Sequence, residues 1–306
     1  MAHVTSKSKA APFSAAAANS VLATACEIAE LDANGARLLR LGENALFYLP
    51  AQSVVVRIAR TMDYWPDAVK EVAVACWLAG HQFPAAQVYG ISQPIQVADH
   101  PVTLWRFING RSGGHNDITY LGVLLRRLHK LPRPTMFDLP GEDILGRVRR
   151  RIDAASVSSA DKDFLLGHLG ELAAEVPRLR YPLASAPTHG DAHVQNLMFR
   201  DGQPVLIDFE RFAWGQPEWD LSMTATEYQT AGWWTESEYA QFAEAYGYDV
   251  ISWTDGFPIL RAVHEIKMTT WLMQNLNESP DIAREYEKRM RTIRGGATGL
   301  EKWRPF

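Results

Sequence analysis

The chain has 306 residues, enough for one large domain or two, and its composition of 47% hydrophobic and 22% charged residues excludes a disordered or fibrous protein. A net charge of −4 gives no general affinity for nucleic acid, and no run of about 18 apolar residues offers a membrane span. The two cysteines, Cys26 and Cys76, sit in apolar helical contexts, which suits a reducing cytoplasm better than a disulfide framework.

Residues 1–13 read as a loosely attached segment. The Ala-rich run Ala15 to Ala18 is shorter than the roughly 7–15 strongly apolar residues of a signal peptide, so a frayed leader is expected. Residues 14–31 carry Val21, Leu22, Ala25, Ile28 and Ala29 at helical spacing, and Asp32-Ala33-Asn34-Gly35 stops that helix with a turn. Strands follow at 38–48 and 53–59, the first bent at Gly42-Glu43-Asn44. The second is a β-branched run that carries one cation, Arg57. A helix is expected over 67–79, with Glu71 near its start. Short strands are expected at 88–91 and 94–97, and a longer one at 102–107.

Beyond Ile108-Asn109-Gly110 the period turns helical. Asp117 caps a helix ending at His129, with Leu121, Leu124, Leu125 and Leu128 in register. Further helices are expected at 141–155, 159–175, 222–228, 236–246, 258–277 and 280–294. The basic run Arg147 to Arg151 reads as a solvated face or, less simply, as a phosphate contact. Strands first and helices after make an α+β class.

Between the helices lies the most informative stretch, residues 188–221. His189-Gly190-Asp191 is followed by Asn196, a tight turn at Asp201-Gly202, and the apolar run Val205-Leu206-Ile207 that ends in Asp208. Transfer of a phosphoryl group from a Mg-nucleotide needs such a set. One carboxylate faces the acceptor hydroxyl, while an amide oxygen and a second carboxylate hold the metal. His189-x-Asp191-x-His193 also superficially resembles a transition-metal cluster of a phosphoesterase. That reading requires further Asp/His clusters the sequence lacks, and leaves Asn196 and Asp208 unexplained.

His189-Gly190-Asp191-x4-Asn196 with Ile207-Asp208-Phe209-Glu210 resembles the aminoglycoside phosphotransferase and choline kinase family, whose fold is protein-kinase-like. His193, Gly215, Pro217, Asp220 and Leu221 extend the match. The resemblance covers the chain from about Leu38 onward and implies a bilobal α+β fold. Residues 1–106 would form an N-terminal nucleotide-binding lobe with an antiparallel sheet and helix. Residues 107–306 would form a larger helical lobe with the catalytic loop and acceptor site. It also implies ATP or GTP as donor and Mg2+ as metal.

Under the resemblance, Asp191 aligns and deprotonates the acceptor, and Asn196 and Asp208 hold the metal. His189 packs beneath the loop, His193 orients it, Glu210 is a second metal or water contact, and Asp220 anchors the loop. Asn44 lies in the turn that covers the phosphates. Arg57 stands where protein kinases carry a phosphate-binding lysine, with Glu71 as its partner. Outside the resemblance, Arg57 reads as a surface arginine, and Glu71 as a glutamate that suits the helix dipole. Trp105 and Phe107 lead into the hinge where adenine stacks. Glu218, Tyr228, Glu265 and Trp271 belong to an acidic and aromatic wall suited to a cationic, hydroxylated acceptor. The expected activity is therefore O-phosphorylation of an aminoglycoside-like or other cationic antibiotic. The alternatives are a metabolic kinase of choline, amino sugar, homoserine or thio-sugar type, and a non-catalytic nucleotide binder. No nucleic-acid or membrane partner is expected.

Overall fold

The structure, a computed structural model, describes residues 13–42, 44–295 and 301–306. Most of the expected N-terminal leader, and Glu43 of the Gly42-Glu43-Asn44 bend, lie outside the described residues. The chain divides into two compact units, Met1–Asn109 and Gly110–Phe306. No helix among the described residues is long and apolar enough to cross a membrane.

The first unit opens with α1 (Ala15–Ala29), whose free N-terminus is capped by the Ser14 hydroxyl accepting from Ala17 N. Asp32 accepts from Asn34 N, and Gly35 at φ +72° turns the chain away. The strands β1 (Arg37–Leu41), β2 (Asn44–Leu49) and β3 (Val54–Ala59) run as antiparallel neighbours. Then come α2 (Trp65–Gly80), β4 (Ile95–Val97) and β5 (His100–Arg106), completing a five-stranded antiparallel sheet of order β1-β2-β3-β5-β4. Alternation decides which side chains go where. Val54, Val56 and Ile58 of β3 pack with Phe47, Leu49, Leu104 and the apolar stripe of α1, so Arg57 points from the opposite face.

The strand expected at 88–91 does not form. Only an isolated bridge forms there, Val88 to Trp105, with Tyr89 N donating to Leu104 O (2.8 Å) and Arg106 N to Gln87 O (2.8 Å). The Gln93 amide bonds the backbones of Tyr89 and Leu104 as well. Its Nε2 donates to Tyr89 O (2.7 Å), and its Oε1 accepts from Leu104 N (2.7 Å).

The second unit contains β6 (Arg111–Ser112), α3 (Ile118–Leu128), α4 (Val148–Ala154), α5 (Ser159–Glu175), β7 (Ala186–Thr188), β8 (Leu197–Arg200), β9 (Gln203–Leu206) and β10 (Ala213–Gly215). The helices α6 (Pro217–Thr226), α7 (Glu236–Tyr246), α8 (Phe257–Leu272) and α9 (Pro280–Ile293) complete it. Two small sheets, β6-β8-β9 and β10-β7, carry the loops of the central stretch. Asp201 and Gly202, both at positive φ, close the β8–β9 hairpin in two residues. Val148, Ile152, Leu165, Trp219, Leu260 and Val263 belong to one buried cluster under them.

Three local expectations change. The helix expected over 141–155 shrinks to α4, since Arg147 stands at φ +69° and the chain before it carries Glu142 to Thr188 instead. Asp117 caps no N–H of α3. Its carboxylate accepts from Gly114 N (2.8 Å) and from both Arg111 guanidinium nitrogens (2.6 and 2.8 Å), fixing the turn before the helix. The helix expected at 222–228 begins earlier, at Pro217. It widens at its end into a π-helical turn, Glu227–Ala231, stopped by Gly232 at φ +66°.

Helices α3 and α7 lie close because residue 122 is glycine. A Cβ there would stand 2.7 Å from Phe242 O and 3.1 Å from Ala245 Cβ. This approach lets His129, at the end of α3, meet Tyr246 at the end of α7 (Nδ1 to Oη, 2.9 Å). Gly122→Val is expected to force the helices apart and destabilise the protein by about 1–3 kcal/mol. Urea unfolding followed by circular dichroism checks this, and an unchanged midpoint would refute the packing argument.

Candidate active site

The loop between β7 and β8 is fixed by a carboxylate from the next helix. Asp220, in the first turn of α6 and 1% exposed, accepts from His189 N (2.7 Å) and Gly190 N (2.8 Å). Its Oδ2 also meets His129 Nε2 at 3.0 Å. Gly190 can be nothing larger, since at φ +78° a Cβ would sit 2.3 Å from Arg211 O. Trp219 Nε1 donates to Gly190 O (3.2 Å), and buried His189 places Nε2 2.9 Å from Ile207 O. The backbone on both sides of Asp191 is thus tied down, while the Asp191 side chain remains 45% exposed.

Asn196 is oriented by the same loop. Its Nδ2 donates to Asp191 O (2.8 Å) and lies 3.2 Å from His193 Nε2. With Nδ2 so engaged, Oδ1 is the atom of this amide that can accept. Asn196 O in turn accepts from Ile207 N (3.0 Å), the residue before Asp208. Asp208 itself stands at φ +66°, a conformation an aspartate tolerates better than most residues. An amide oxygen and one carboxylate form a donor set that Mg2+ accepts, since it keeps phosphate and water oxygens for the rest of its shell. No group of three or more His, Cys, Asp or Glu that could hold a metal exists among the described residues.

Electrostatics separates two carboxylates here. Partial enclosure of the half-exposed Asp191 carboxylate works to raise its pKa, but the bond and charge of His193, with His189 and Arg211 nearby, hold it well below the usual carboxylate range. Burial opposes charge on His193 too, yet Asp191, Glu227 and Asp208 together raise its pKa. Glu227, at the start of the π-helical turn, behaves oppositely to Asp191. Burial pushes it up to about 7 against the Trp234 Nε1 bond to Oε2 (2.8 Å) and the charge of His193.

In the first unit, Arg57 and Glu71 pair at 2.5 Å, with Glu71 3% exposed. With the Asn44 amide turned so that Oδ1 faces the guanidinium, it accepts from Arg57 Nε (3.2 Å) and Nη2 (2.9 Å). Trp105 Nε1 donates to Thr103 Oγ1 (2.9 Å). Phe107 N donates to Ser53 O (2.9 Å), and its ring lies 4.3 Å from that of Tyr48.

The remaining sequence-derived residues fall in varied places. Glu210 pairs with Arg147 at 2.6 Å. Glu218 is fully buried and accepts from Leu183 N (2.7 Å), so it braces the chain before β7. Glu265 accepts from Thr230 Oγ1 (2.6 Å) and lies 3.6 Å from Arg261. Tyr228 stacks on Tyr239 at 4.9 Å, and Trp271 is 38% exposed on α8.

Sequence reasoning missed His129, Glu142 and Lys267. Glu142 accepts from Thr188 Oγ1 (2.9 Å) and Gln216 N (3.3 Å), and burial with the Asp220 charge pushes it up to about 8. Lys267 donates to Ile144 O (2.9 Å), stands 4.7 Å from the Trp219 ring centroid, and is pushed down to about 7 by burial. All three act across 46 to 123 residues of sequence, and no local pattern signals such partners.

No curated protein sequence matches this chain. Among solved structures, it is similar to the amicoumacin kinase hAmiN in complex with AMP-PNP, Ca2+ and Ami, at TM-score 0.73 and 15% identity, covering 95% of this chain and 98% of that one. A microcompartment-associated aminopropanol kinase gives TM-score 0.67 at 18% identity, over 90% and 95% of the two chains. The choline kinase LicA from Streptococcus pneumoniae gives 0.66 at 13%, over 92% and 100%. These likenesses show the protein-kinase-like α+β fold. The family described as APH, phosphotransferase enzyme family, matches residues 32–263, well over half of the sequence. The chain therefore belongs to the APH phosphotransferase enzyme family.

Proposed function

We propose that the protein is a Mg2+-dependent O-phosphotransferase that moves the γ-phosphoryl group of ATP or GTP to a hydroxyl of a cationic, aminoglycoside-like compound. The observation that carries the reaction is the braced loop. Asp191 is half-exposed and held ionised, and Asn196 is fixed by its own Nδ2 so that Oδ1 is left for a metal. The acceptor hydroxyl donates to Asp191, which aligns its oxygen for in-line attack. As the new P–O bond forms and the bond to the nucleoside diphosphate breaks, the hydroxyl proton passes to Asp191. Asn196 and Asp208 would hold the metal, which supplies neutralisation of phosphate charge when bound. Arg57, steadied by Glu71 and Asn44, would offer a guanidinium edge to phosphate oxygens. The nucleotide and the acceptor are the only partners this reading requires.

Support for a cationic acceptor comes from Glu227, a buried carboxylate within electrostatic reach of Asp191 and His193 whose pKa lies near 7. A cation arriving there would find a counter-charge that the fold otherwise keeps half-protonated. This favours an amine-bearing antibiotic, and with it a resistance role. A small metabolic amino alcohol shares that chemistry and is the second reading, since an aminopropanol kinase and a choline kinase share the fold.

Three outcomes test the assignment. Asp191→Asn is expected to keep nucleotide affinity and lower kcat by roughly 10²–10⁴-fold, the usual span for a positioned general base. Coupled ADP or GDP release against aminoglycosides, basic peptide antibiotics, choline and amino sugars measures this, and retained turnover removes the role. Mg-nucleotide at about 100 times its Kd should stabilise the protein by roughly 2.7 kcal/mol, and Asp208→Asn should abolish most of that thermal shift. Ionised Glu227 binds a cation and protonated Glu227 does not, so the acceptor KM should fall as pH rises through about 7. In Glu227→Gln the KM should be high and flat across that window. A neutral acceptor would give no such dependence.

A further inference from the structure

The π-helical turn Glu227–Ala231 is held at its far end by a short segment distant in sequence. Trp303, 2% exposed, donates its backbone N–H to Ala231 O (3.0 Å) and accepts at its own carbonyl from Trp233 Nε1 (2.7 Å). Beside it, the Lys302 methylenes cover Gly232 so closely that a Cβ there would lie 2.8 Å from Lys302 Cγ. Trp303 is itself anchored on α9. Its Nε1 donates to Thr292 Oγ1 (3.2 Å), and the Arg289 guanidinium stands 4.7 Å from the ring centroid. The same Arg289 donates to Arg304 O (2.6 Å).

The other end of this contact is Glu227. Trp233 N donates to Glu227 O (3.0 Å), and Trp234 Nε1 donates to Glu227 Oε2 (2.8 Å). Trp233 is therefore bound both to Trp303 and to Glu227, whose carboxylate lies within electrostatic reach of Asp191 and His193. We propose that the segment Glu301–Phe306 is a strap, and that Trp303 is a positioning residue which sets the Glu227 carboxylate for the acceptor through Ala231 and Trp233. This rests on the phosphotransferase reading, and on the acceptor approaching Glu227.

The strap acts on acceptor binding alone, so its signature is a split in the kinetic constants. Trp303→Ala should raise the acceptor KM about tenfold, which the loss of one well-placed charged hydrogen bond supports. Nucleotide KM and kcat should stay within about twofold. Trp233→Phe removes the Nε1 donor to Trp303 with part of the ring and keeps the backbone bond to Glu227; it should give a smaller rise, which keeps the test alive if Trp303→Ala folds poorly. The deciding measurement repeats both substitutions in Glu227→Gln. No further rise in acceptor KM there supports the strap, and an equal rise in both backgrounds overturns it. Hydrogen exchange separates this from the reaction itself. Residues 227–234 should exchange faster in Trp303→Ala while residues 188–196 do not change, and unaltered exchange at 227–234 overturns the strap even if the enzyme turns over. A wild-type protein without acceptor-dependent turnover would remove the phosphotransferase reading, and the exchange result would still decide whether the strap holds the turn.

Discussion

A single carboxylate holds the catalytic stretch in place. Asp220 is buried, ionisable and surrounded by donors: two successive backbone N–H groups of the loop and the ring of His129. It also sits in the first turn of α6, where the helix dipole favours negative charge. Hydrogen bonds to a charged group contribute about 1.5–3 kcal/mol each, and removing the acceptor would leave two loop N–H groups without a partner in the interior. Without Asp220, Gly190 loses the bond that supports its positive φ, and Asp191 no longer has a fixed base. The path of constraint runs further back. Gly122 admits α7 to α3, Tyr246 steadies His129, and His129 meets Asp220. A missing side chain on a helix surface thus bears on the geometry of the loop.

Much of this was legible in the sequence because its signals are local. The apolar period places α1, α5, α7 and α9 within two residues of their observed ends, whereas α8 stops at Leu272, five residues before the expected end at 277. Asp201-Gly202 marks its hairpin by chemistry that only such residues supply. The spacing of Asp191, Asn196 and Asp208 is also local, since one loop and one hairpin fix their separation along the chain. What escaped is tertiary. Glu142 lies in a stretch with helical composition, and only the chance to satisfy Thr188 and Gln216 pulls it out of a helix. Gln93 bonds the backbones of Tyr89 and Leu104 through one amide, which no period can show. Glu218 looked like part of an exposed acidic wall, but a carboxylate with a backbone N–H to bind can be buried as readily as exposed.

The second unit concentrates buried acids around its working loop. Glu142, Glu218 and Glu227 are all raised by burial, yet each has its own specific donor. Asp191 is the exception, depressed by the imidazoles and the guanidinium near it. Carboxylates of one unit are thus shifted in opposite directions by their surroundings. Such a separation gives one carboxylate a constant charge for chemistry and leaves another responsive to whatever binds.

The Asn196 amide joins the two functions of the loop through one planar group. Its Nδ2 donates to the carbonyl of Asp191 (2.8 Å), and under the proposed function its Oδ1 would be a metal ligand. A cation held there would draw electron density from the amide and make its N–H a stronger donor to the Asp191 backbone. Metal occupancy and the setting of Asp191 would then form one thermodynamic cycle, in which each favours the other by the same free energy. A loop built in this way would be firmest with its metal loaded.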